Sequence, residues 1–351
     1  MTALLDVRDI RKLYALAGQG GSGNPLLRWV RTRLTSAVDH TPVLHAVDGV
    51  SFSIDGGESL GLVGESGCGE STLVGMLARL SDPTSGDILF AGQNIGTVPS
   101  KQFHARPERT DIQIVFQDPH ESLNPRFTAF DTIAEPLRGL QGITDAAELR
   151  RKVEEVAVQV DLPLQLLSRF PHQMSGGQKA RVNIGRAVAV SPKLLILDEP
   201  TSALDVSVQA VILKLLVRLK QELGMSYLFV SHDLNVVRLL CDRVIVMYLG
   251  QIVESGTAEE IFTRPQHPYT RALISAIPNT GPGAVERVRL SGDPKSPIDP
   301  DPNACRFHGR CPKGEDLCAR AAPPKVMVNA THYAVCHFAE GTAQDSGAEN
   351  D

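Results

Sequence analysis

The feature that most constrains this chain is a glycine-rich stretch, GESGCGEST at residues 64–72, which lies between an apolar strand-like run and a predicted helix. Glycines in such a loop let backbone N–H groups turn inwards, and the helix N-terminus adds partial positive charge, so the loop suits a phosphate group. A preceding strand and a following helix are the context that a P-loop requires. We therefore predict phosphate contacts at Gly64, Ser66, Gly67, Cys68, Gly69, Glu70, Ser71 and Thr72.

One position of this loop departs from the P-loop pattern. The pattern calls for a lysine that reaches the β- and γ-phosphates, but the chain has Glu70 there. A single unit-charge contact at about 4 Å contributes roughly 1 kcal/mol in water and about 4 kcal/mol at an effective dielectric near 20. The reversed charge therefore predicts impaired nucleotide binding at this loop, whether Glu70 is natural to the protein or a variant. The hydroxyl of Ser71 is still placed to bind Mg²⁺.

The segments after the loop alternate between strand-like and helix-like patterns. The strand-like runs are 111–116, 194–198 and 226–230, and the helix-like segments are 128–160, 176–190 and 206–223. Strands that alternate with helices predict an α/β fold with a largely parallel sheet covered on both faces.

Polar motifs follow these predicted strands. Gln117 comes directly after DIQIVF, and Asp198 and Glu199 end the run LLILDE. His232, in VSHD, comes directly after SYLFV. Adjacent acids at a strand end are often only a solvated turn, but here they occur with the other motifs in a fixed order. We therefore predict that Glu199 is catalytic and polarises an attacking water, and that Ser71 and Asp198 bind Mg²⁺.

Together the motifs cover roughly residues 4–262, and in this order they resemble the ATP-binding-cassette (ABC) ATPases. The resemblance implies that Glu199 polarises the attacking water, that His232 touches the γ-phosphate and that Gln117 senses Mg²⁺ and the membrane partner. The sequence SALD at 202–205 matches the family's D-loop. The resemblance also assigns a signature motif that binds ATP held by the opposite subunit, formed by Ser175, Gly176, Gly177 and Gln178. Tyr14 is either the adenine-stacking aromatic or a packing residue at a strand end.

Three longer strings narrow the resemblance within the ABC family. They are FQDPHESLNPR at 116–126, HPYTRALISAIP at 267–278 and ACRFHGRCP at 304–312, and they resemble the F-type ATPase subunits of dipeptide and oligopeptide importers. Nickel and glutathione importers of the same group share them. The resemblance implies a second, D-type ATPase subunit, two membrane permease subunits, a peptide-binding protein and a position on the cytoplasmic face of the membrane.

Four cysteines cluster near the C-terminus, at Cys305, Cys311, Cys318 and Cys336, separated by five, six and seventeen residues. A cysteine cluster in a reducing compartment favours metal binding over disulfides. A zinc ribbon is disfavoured because no CxxC pair is present, whereas four thiolates suit a 4Fe–4S cluster. Members of the resembled family carry such a cluster in this segment, which supports the same prediction. Free thiols or a zinc site are the alternatives.

The predicted organisation is a P-loop NTPase with a small C-terminal domain. The nucleotide-binding domain spans 1–262, with a RecA-like core, an antiparallel β-subdomain near the N-terminus and a helical subdomain at about 120–178. A Cys-rich domain at 263–340 and a disordered acidic tail at 341–351 follow. Within 16–44 we predict a glycine-rich loop at 16–25, and residues 26–38 have the pattern of a short basic amphipathic helix. We favour an insertion that packs on its own domain, and contact with a membrane surface or partner is the alternative.

The bulk composition agrees with a peripheral ATPase. The net charge of −5 gives no sign of general nucleic-acid affinity, so we expect no nucleic-acid partner. The charged N-terminal stretch lacks the apolar region of a signal peptide, and no apolar run is long enough to span a membrane, so we expect a cytosolic chain. Two alternatives stay open: a nucleic-acid-directed ABC ATPase, and a non-hydrolysing cassette that supports a partner ATPase.

Overall fold

The computed structural model describes residues 3–16, 41–277, 288–293 and 295–340. The predicted helix at 26–38, all of the predicted loop at 16–25 except Leu16, and the tail at 341–351 lie outside the described residues. Within them, no helix is long and apolar enough to cross a membrane.

The strands of the described part form two sheets. They are β1 Leu5–Ala15, β2 Val43–Ile54, β3 Ser59–Gly64, β4 Ser85–Phe90, β5 Gln93–Asn94, β6 Ile112–Val115, β7 Leu194–Asp198, β8 Ser226–Val230, β9 Arg243–Tyr248, β10 Gln251–Thr257, β11 Lys325–Met327 and β12 Tyr333–Val335. The larger sheet has the order β11-β12-β10-β9-β3-β8-β7-β6, and the smaller has the order β2-β1-β4-β5. Strands β9, β3, β8, β7 and β6 pair in parallel, as the alternating sequence pattern predicts, whereas the smaller sheet is antiparallel.

The α-helices lie between these strands. They are α1 Glu70–Leu77, α2 Glu108–Asp111, α3 Pro119–Ser122, α4 Ala129–Gln141, α5 Ala146–Gln159, α6 Gly176–Val188, α7 Val206–Leu223, α8 Leu234–Leu240, α9 Ala258–Thr263, α10 Pro268–Ser275 and α11 Asp316–Arg320. Local sequence sets several of their ends. A Thr128–Asp131 capping box begins α4, and Gly142 at φ +68° ends it.

Both faces of the large sheet are buried, and β7 shows why its sequence is continuously apolar. Leu195 and Leu197 belong to one hydrophobic core, whereas Leu194 and Ile196 belong to the other. Side chains alternate between the faces of a strand, so a strand that is buried on both sides has no polar positions. The first core also contains α4, α5 and α6, which meet closely at Gly185, where a Cβ would lie 3.4 Å from Ile133 and 3.5 Å from Val156.

The C-terminal stretch is joined to the large sheet. Strand β12 pairs with β10, and β11 pairs with β12, so residues 325–335 extend the sheet that carries β3. The prediction that 263–340 forms a domain of its own stays a prediction.

A buried carboxylate supports this junction. Glu254, on β10, is fully buried and accepts hydrogen bonds from the backbone N–H groups of Gln266 (2.7 Å) and His267 (2.9 Å). His332 Nε2 lies 2.7 Å from the same carboxylate. His267 is buried too, and its Nδ1 accepts the Tyr269 backbone N–H at the start of α10. Burial lowers the pKa of His267 to about 4, although the nearby Glu254 opposes the shift.

We predict that His267 makes the fold sensitive to acid between pH 6.5 and 4. In this window the unfolded chain binds a proton that the buried imidazole does not accept, so stability falls as pH falls, by up to roughly 3 kcal/mol. His267→Asn keeps an N-cap acceptor and should flatten the dependence, as measured by urea unfolding at pH 7 and pH 4.5. His104→Asn, at an exposed histidine, is the control. An unchanged pH dependence in His267→Asn would contradict this account.

Candidate active site

The carboxyl ends of four parallel strands meet at one edge of the large sheet and position the predicted functional residues. Strand β3 runs into the 64–72 loop, and β6 is followed by Gln117. Strand β7 ends at Asp198, and β8 precedes His232. Ligands of parallel α/β sheets bind at this edge, beyond the carboxyl ends of the strands. The topology therefore brings together side chains that are far apart in sequence.

Glu199 lies at the centre of this arrangement. Gln117 Nε2 donates a hydrogen bond to Glu199 Oε2 at 2.8 Å, and His232 Nδ1 lies 3.0 Å from Glu199 Oε1. The Glu199 backbone has a φ of +45°, a conformation that non-glycine residues adopt rarely and that often occurs at functional sites. Its N–H donates to Val230 and its C=O accepts from Ser202, so both sides of the strained residue are fixed. The carboxylate is thus held in one orientation at the mouth of the loop.

The 64–72 loop needs glycine at two points. Gly69 has a φ of +110°, and a Cβ there would lie 2.2 Å from the carbonyl oxygen of Ala46. A Cβ on Gly64 would lie 2.5 Å from Cys68 Sγ. The N–H of Gly250 donates to the Cys68 carbonyl at 2.7 Å, which ties the loop to the β9–β10 turn. These contacts keep the loop compact, as a phosphate cradle requires.

A cavity of about 520 Å³ is lined both by the 64–72 loop and by the cluster of Gln117, Glu199 and His232. Its lining includes many predicted site residues, which are Gly64, Ser66, Gly67, Gly69, Glu70, Ser71, Thr72, Gln117, Glu199 and His232. Sequence reasoning missed five further lining residues, which are Leu44, His45, Ala46, Gly250 and Pro297. No local motif marks them, because they come from β2, the β9–β10 turn and the C-terminal stretch.

The side chain of Glu70 turns into the protein. Its Oε1 atom is buried and has no hydrogen-bond partner. Burial, together with the charges of Glu199 and Asp198, raises the pKa of Glu70 to about 8, although hydrogen bonding with the Cys68 thiol opposes the shift. Near neutral pH the carboxyl is therefore mostly protonated, which weakens its repulsion of a polyanion without supplying a positive charge. Burial also raises the pKa of the Cys68 thiol, which stays neutral.

Asp198 lies beside this cluster but does not line the cavity. Burial raises its pKa, and the neighbouring Glu199 adds to the shift. Among the described residues, no group of three or more His, Cys, Asp or Glu side chains is placed to hold a metal ion. Mg²⁺ in nucleotide sites is usually bound by one or two carboxylates and by substrate phosphates, so Asp198 and the Ser71 hydroxyl fit a partial ligand set.

Tyr14 lies close to this cavity without lining it. The residue is paired with Leu44 across β1 and β2, its side chain is 41% exposed, and Lys12 Nζ lies 5.1 Å from its ring centroid. Because directly opposed residues project from the same face of a sheet, Tyr14 stands beside a cavity residue. Its predicted stacking on adenine stays a prediction.

An ion pair connects the loop to the cysteine-rich stretch. Arg310 makes a bidentate contact with Glu65, with Nη1–Oε2 at 2.7 Å and Nη2–Oε1 at 3.1 Å. The Arg310 side chain is only 9% exposed, and the N–H of Glu65 donates to the Tyr269 hydroxyl at 2.7 Å. In sequence this stretch is far from the ATP motifs, but Arg310 contacts the phosphate loop directly. A substitution at Cys311, the next residue in the chain, can therefore affect the 64–72 loop through Arg310.

Comparison with known proteins identifies the family. A family model described as ABC transporter matches residues 47–202, and one described as oligopeptide/dipeptide transporter, C-terminal region, matches residues 253–318. The chain is 45% identical over 338 residues to the oligopeptide transport ATP-binding protein AppF of Bacillus subtilis, which covers 95% of this chain and 97% of AppF. It is 45% identical over 297 residues to the oligopeptide transport ATP-binding protein OppF of Haemophilus influenzae, which covers 84% of this chain and 88% of OppF.

This chain belongs to the ATP-binding subunits of dipeptide and oligopeptide ABC transporters. As a member of this family it is an ABC-type ATPase, and ATP and Mg²⁺ are its expected ligands.

Solved structures confirm the predicted α/β P-loop fold of this ABC subunit. The ATP-binding cassette MJ0796, solved as a dimer in a post-hydrolysis state with ADP and phosphate, matches with a TM-score of 0.60 at 26% identity, over 72% of this chain and 98% of that one. CbiO1 of Clostridium perfringens, part of the ABC transporter complex cbiONQ, matches with a TM-score of 0.59 at 28% identity, over 75% of this chain and 92% of that one.

Residues 175–178, predicted as the signature motif, lie at the start of α6 and outside the cavity. Ser175 is the N-cap: its hydroxyl accepts the N–H of Gln178 at 3.4 Å, and Gln178 Oε1 accepts the N–H of Ser175 at 2.9 Å. A Cβ on Gly177 would lie 2.7 Å from Val208, so glycine is needed here to let α6 approach α7. None of the signature residues lines the cavity of its own chain.

The four cysteines of the C-terminal stretch lie near one another. The N–H of Cys305 donates to the Cys318 carbonyl at 2.8 Å. Burial is the main cause that raises the pKa of Cys305 to about 11, and the other cysteines of the set contribute through their charges. No metal site is found among the described residues, and the predicted 4Fe–4S cluster therefore stays a proposal.

Proposed function

We propose that this chain is the F-type ATPase subunit of an oligopeptide importer. The observation that carries the proposal is the Glu199 carboxylate, which is fixed by Gln117 and His232 at the mouth of the phosphate loop. The solute class follows from the names of AppF and OppF, both described as oligopeptide transport ATP-binding proteins. The solute pocket itself belongs to other subunits.

The chemistry follows from the placement of these groups. Backbone N–H groups of the loop bind the β- and γ-phosphates, and Glu199 accepts a hydrogen bond from the attacking water and orients it towards the γ-phosphorus. The ring nitrogen of His232 that does not face Glu199 is available to the γ-phosphate. Mg²⁺, held by the Ser71 hydroxyl and Asp198 with Gln117 nearby, would neutralise phosphate charge. Water adds to phosphorus as the bond to ADP breaks, which yields ADP, phosphate and a proton.

The signature motif serves a second cassette in this proposal. Residues 175–178 are absent from the cavity of their own chain, and the N-terminus of α6 offers backbone N–H groups to an anion. Two cassettes that face head to tail would place each ATP between one loop and the other chain's signature motif. The second cassette is a D-type ATPase, both cassettes lie on the cytoplasmic face of the membrane, and their closure on ATP is passed to two membrane permease subunits. A peptide-binding protein delivers the solute.

The half-site that contains Glu70 is the weaker of the two in this dimer. The carboxyl supplies no cation to the phosphates, and any ionised fraction repels them. In the limiting case the chain is a non-hydrolysing cassette whose signature motif supports the partner's ATP.

We also propose that Cys305, Cys311, Cys318 and Cys336 hold a 4Fe–4S cluster. Burial is the main cause that raises the pKa values of Cys305, Cys311 and Cys336, and the charges of neighbouring cysteines of the set add to each shift, which indicates that the four thiols lie near one another. Four neighbouring thiols match the ligand set of such a cluster. The cluster would keep the cysteine-rich stretch, and with it Arg310, against the loop.

We predict that Glu70→Lys strengthens ATP binding by this chain at least tenfold, because it replaces a largely neutral carboxyl with a cation beside the phosphates. Titration of Mg²⁺-ATP into both purified forms measures the effect. Glu222→Lys makes the same charge change at an exposed site on α7 and should leave the affinity unchanged. Equal affinities in the wild type and Glu70→Lys would show that backbone N–H groups and Mg²⁺ are sufficient.

We predict that peptide and its binding protein stimulate ATP hydrolysis by the assembled importer, and that Ser175→Arg abolishes this hydrolysis. The arginine would enter the half-site that the D-type partner's intact loop forms. Glu199→Gln, which removes the carboxylate of the Glu70 half-site, should leave most of the turnover. If Glu199→Gln is as severe as Ser175→Arg, both half-sites hydrolyse ATP and the asymmetric model is wrong. If peptide has no effect on hydrolysis, the assigned solute is wrong.

We predict that the protein purified without oxygen is brown and contains about four iron and four sulfide ions per chain. Cys311→Ser should lower the iron content, whereas Cys241→Ala, at a buried cysteine outside the set, should not. Metal analysis and visible absorption measure the outcome. One zinc ion per chain without iron would contradict the cluster.

A further inference from the structure

One end of the cavity beside the 64–72 loop is built in part by the C-terminal stretch. Pro297 lines the same cavity as the phosphate loop, together with Leu44 and Ala46 of β2. Ala46 lies against the 64–72 loop, since its carbonyl oxygen is only 2.2 Å from the position that a Cβ on Gly69 would occupy. Leu44 precedes Ala46 by two residues on the strand, about 7 Å away, and also lines the cavity. The cavity wall therefore changes from backbone N–H groups to apolar side chains.

Residues 297–299, which we call the strap, are fixed against the open edge of β2. The Pro297 carbonyl accepts the N–H of His45, and the N–H of Asp299 donates to the Val43 carbonyl, both at 2.9 Å. Asp299 Oδ1 accepts the N–H of Val43 at 2.9 Å, and Ile298 forms a bridge with Leu44. Strand β2 is at the edge of its sheet, and the strap occupies hydrogen-bonding groups that would otherwise be unpaired. The strap is thus a formed piece of structure.

A buried ion pair fixes the chain that follows the strap. Arg306 contacts Asp48 and the Leu249 carbonyl, and both side chains of the Arg306–Asp48 pair are less than 10% exposed. Asp48 also contacts Arg11 and His45. The strap is therefore held by its own pairing with β2, and the chain that follows it is held to the same strand by the Arg306–Asp48 pair.

We infer that Pro297 and Leu44 form an apolar subsite for the base of a purine nucleoside triphosphate, so that the C-terminal stretch contributes directly to nucleotide binding. This inference rests on the proposed function. Neither side chain can bond to a phosphate, whereas an aliphatic ring and an isobutyl group suit the flat face of a heterocycle. Tyr14, the cross-strand neighbour of Leu44, borders the same subsite.

The subsite can be separated from the phosphate loop by using a ligand that has no base. Binding of Mg²⁺-ATP and of Mg²⁺-tripolyphosphate would be measured by calorimetry on the full chain, in the wild type and in Glu70→Lys. In either background, Pro297→Ala and Leu44→Ala should each weaken ATP binding roughly five- to tenfold and leave tripolyphosphate binding unchanged. Pro302→Ala, at an exposed proline of the same segment outside the cavity, should change neither.

Three outcomes would count against the inference in different ways. If both variants bind ATP like the wild type, the base lies elsewhere. If ATP and tripolyphosphate weaken equally, the two residues act only on the shape of the loop. If neither the wild type nor Glu70→Lys binds ATP at all, the proposed ATPase function fails, and the subsite fails with it.

Discussion

The carboxylate of Glu199, in contact with both Gln117 and His232, is the interaction on which the rest of the site depends. It exists because parallel strands end at one edge of the sheet, so residues that follow β6, β7 and β8 become neighbours. The same edge carries the phosphate loop after β3. The strained φ of Glu199 persists because backbone hydrogen bonds on both sides hold it. A rigid acceptor beside a phosphate cradle is suited to orienting water.

Glu70 alters the charge at the 64–72 loop but not the contacts that give the loop its shape. The loop keeps its glycine contacts and its helix, so its shape does not depend on a lysine. The carboxyl turns towards Cys68 and becomes harder to ionise because it is buried near two other acids. Because this carboxyl is mostly neutral, the loop differs from the P-loop pattern chiefly by the missing positive charge of the lysine, and less by an added negative charge. In the proposed dimer this makes the two half-sites unequal, and the predicted signature motif of this chain then contributes more to turnover than its own loop does.

The gathering of Gln117, Glu199 and His232 at one edge of the sheet could be predicted from the sequence, because each lies within two residues of the end of a strand whose apolar run is evident. The other residues that line the cavity or support the loop could not be predicted from the sequence. Glu65 and Arg310 are 245 residues apart in sequence, and no local pattern reports their contact. Pro297 reaches the cavity only because the strap pairs with the edge of β2. This tertiary contact leaves no periodic pattern in the sequence. The cysteine-rich stretch is far from the ATP motifs along the chain, but in the folded protein it contacts them.

The most direct test of this account is a structure of the assembled importer with Mg²⁺-ATP, trapped before hydrolysis. The account predicts ATP between the 64–72 loop of this chain and the partner's signature motif, at lower occupancy than in the other half-site. Its base should contact Pro297 and Leu44, and its γ-phosphate should face Glu199 and His232. A nucleotide whose triphosphate lies away from the 64–72 loop, or a complex in which residues 175–178 contact no ATP of the partner, would contradict the account.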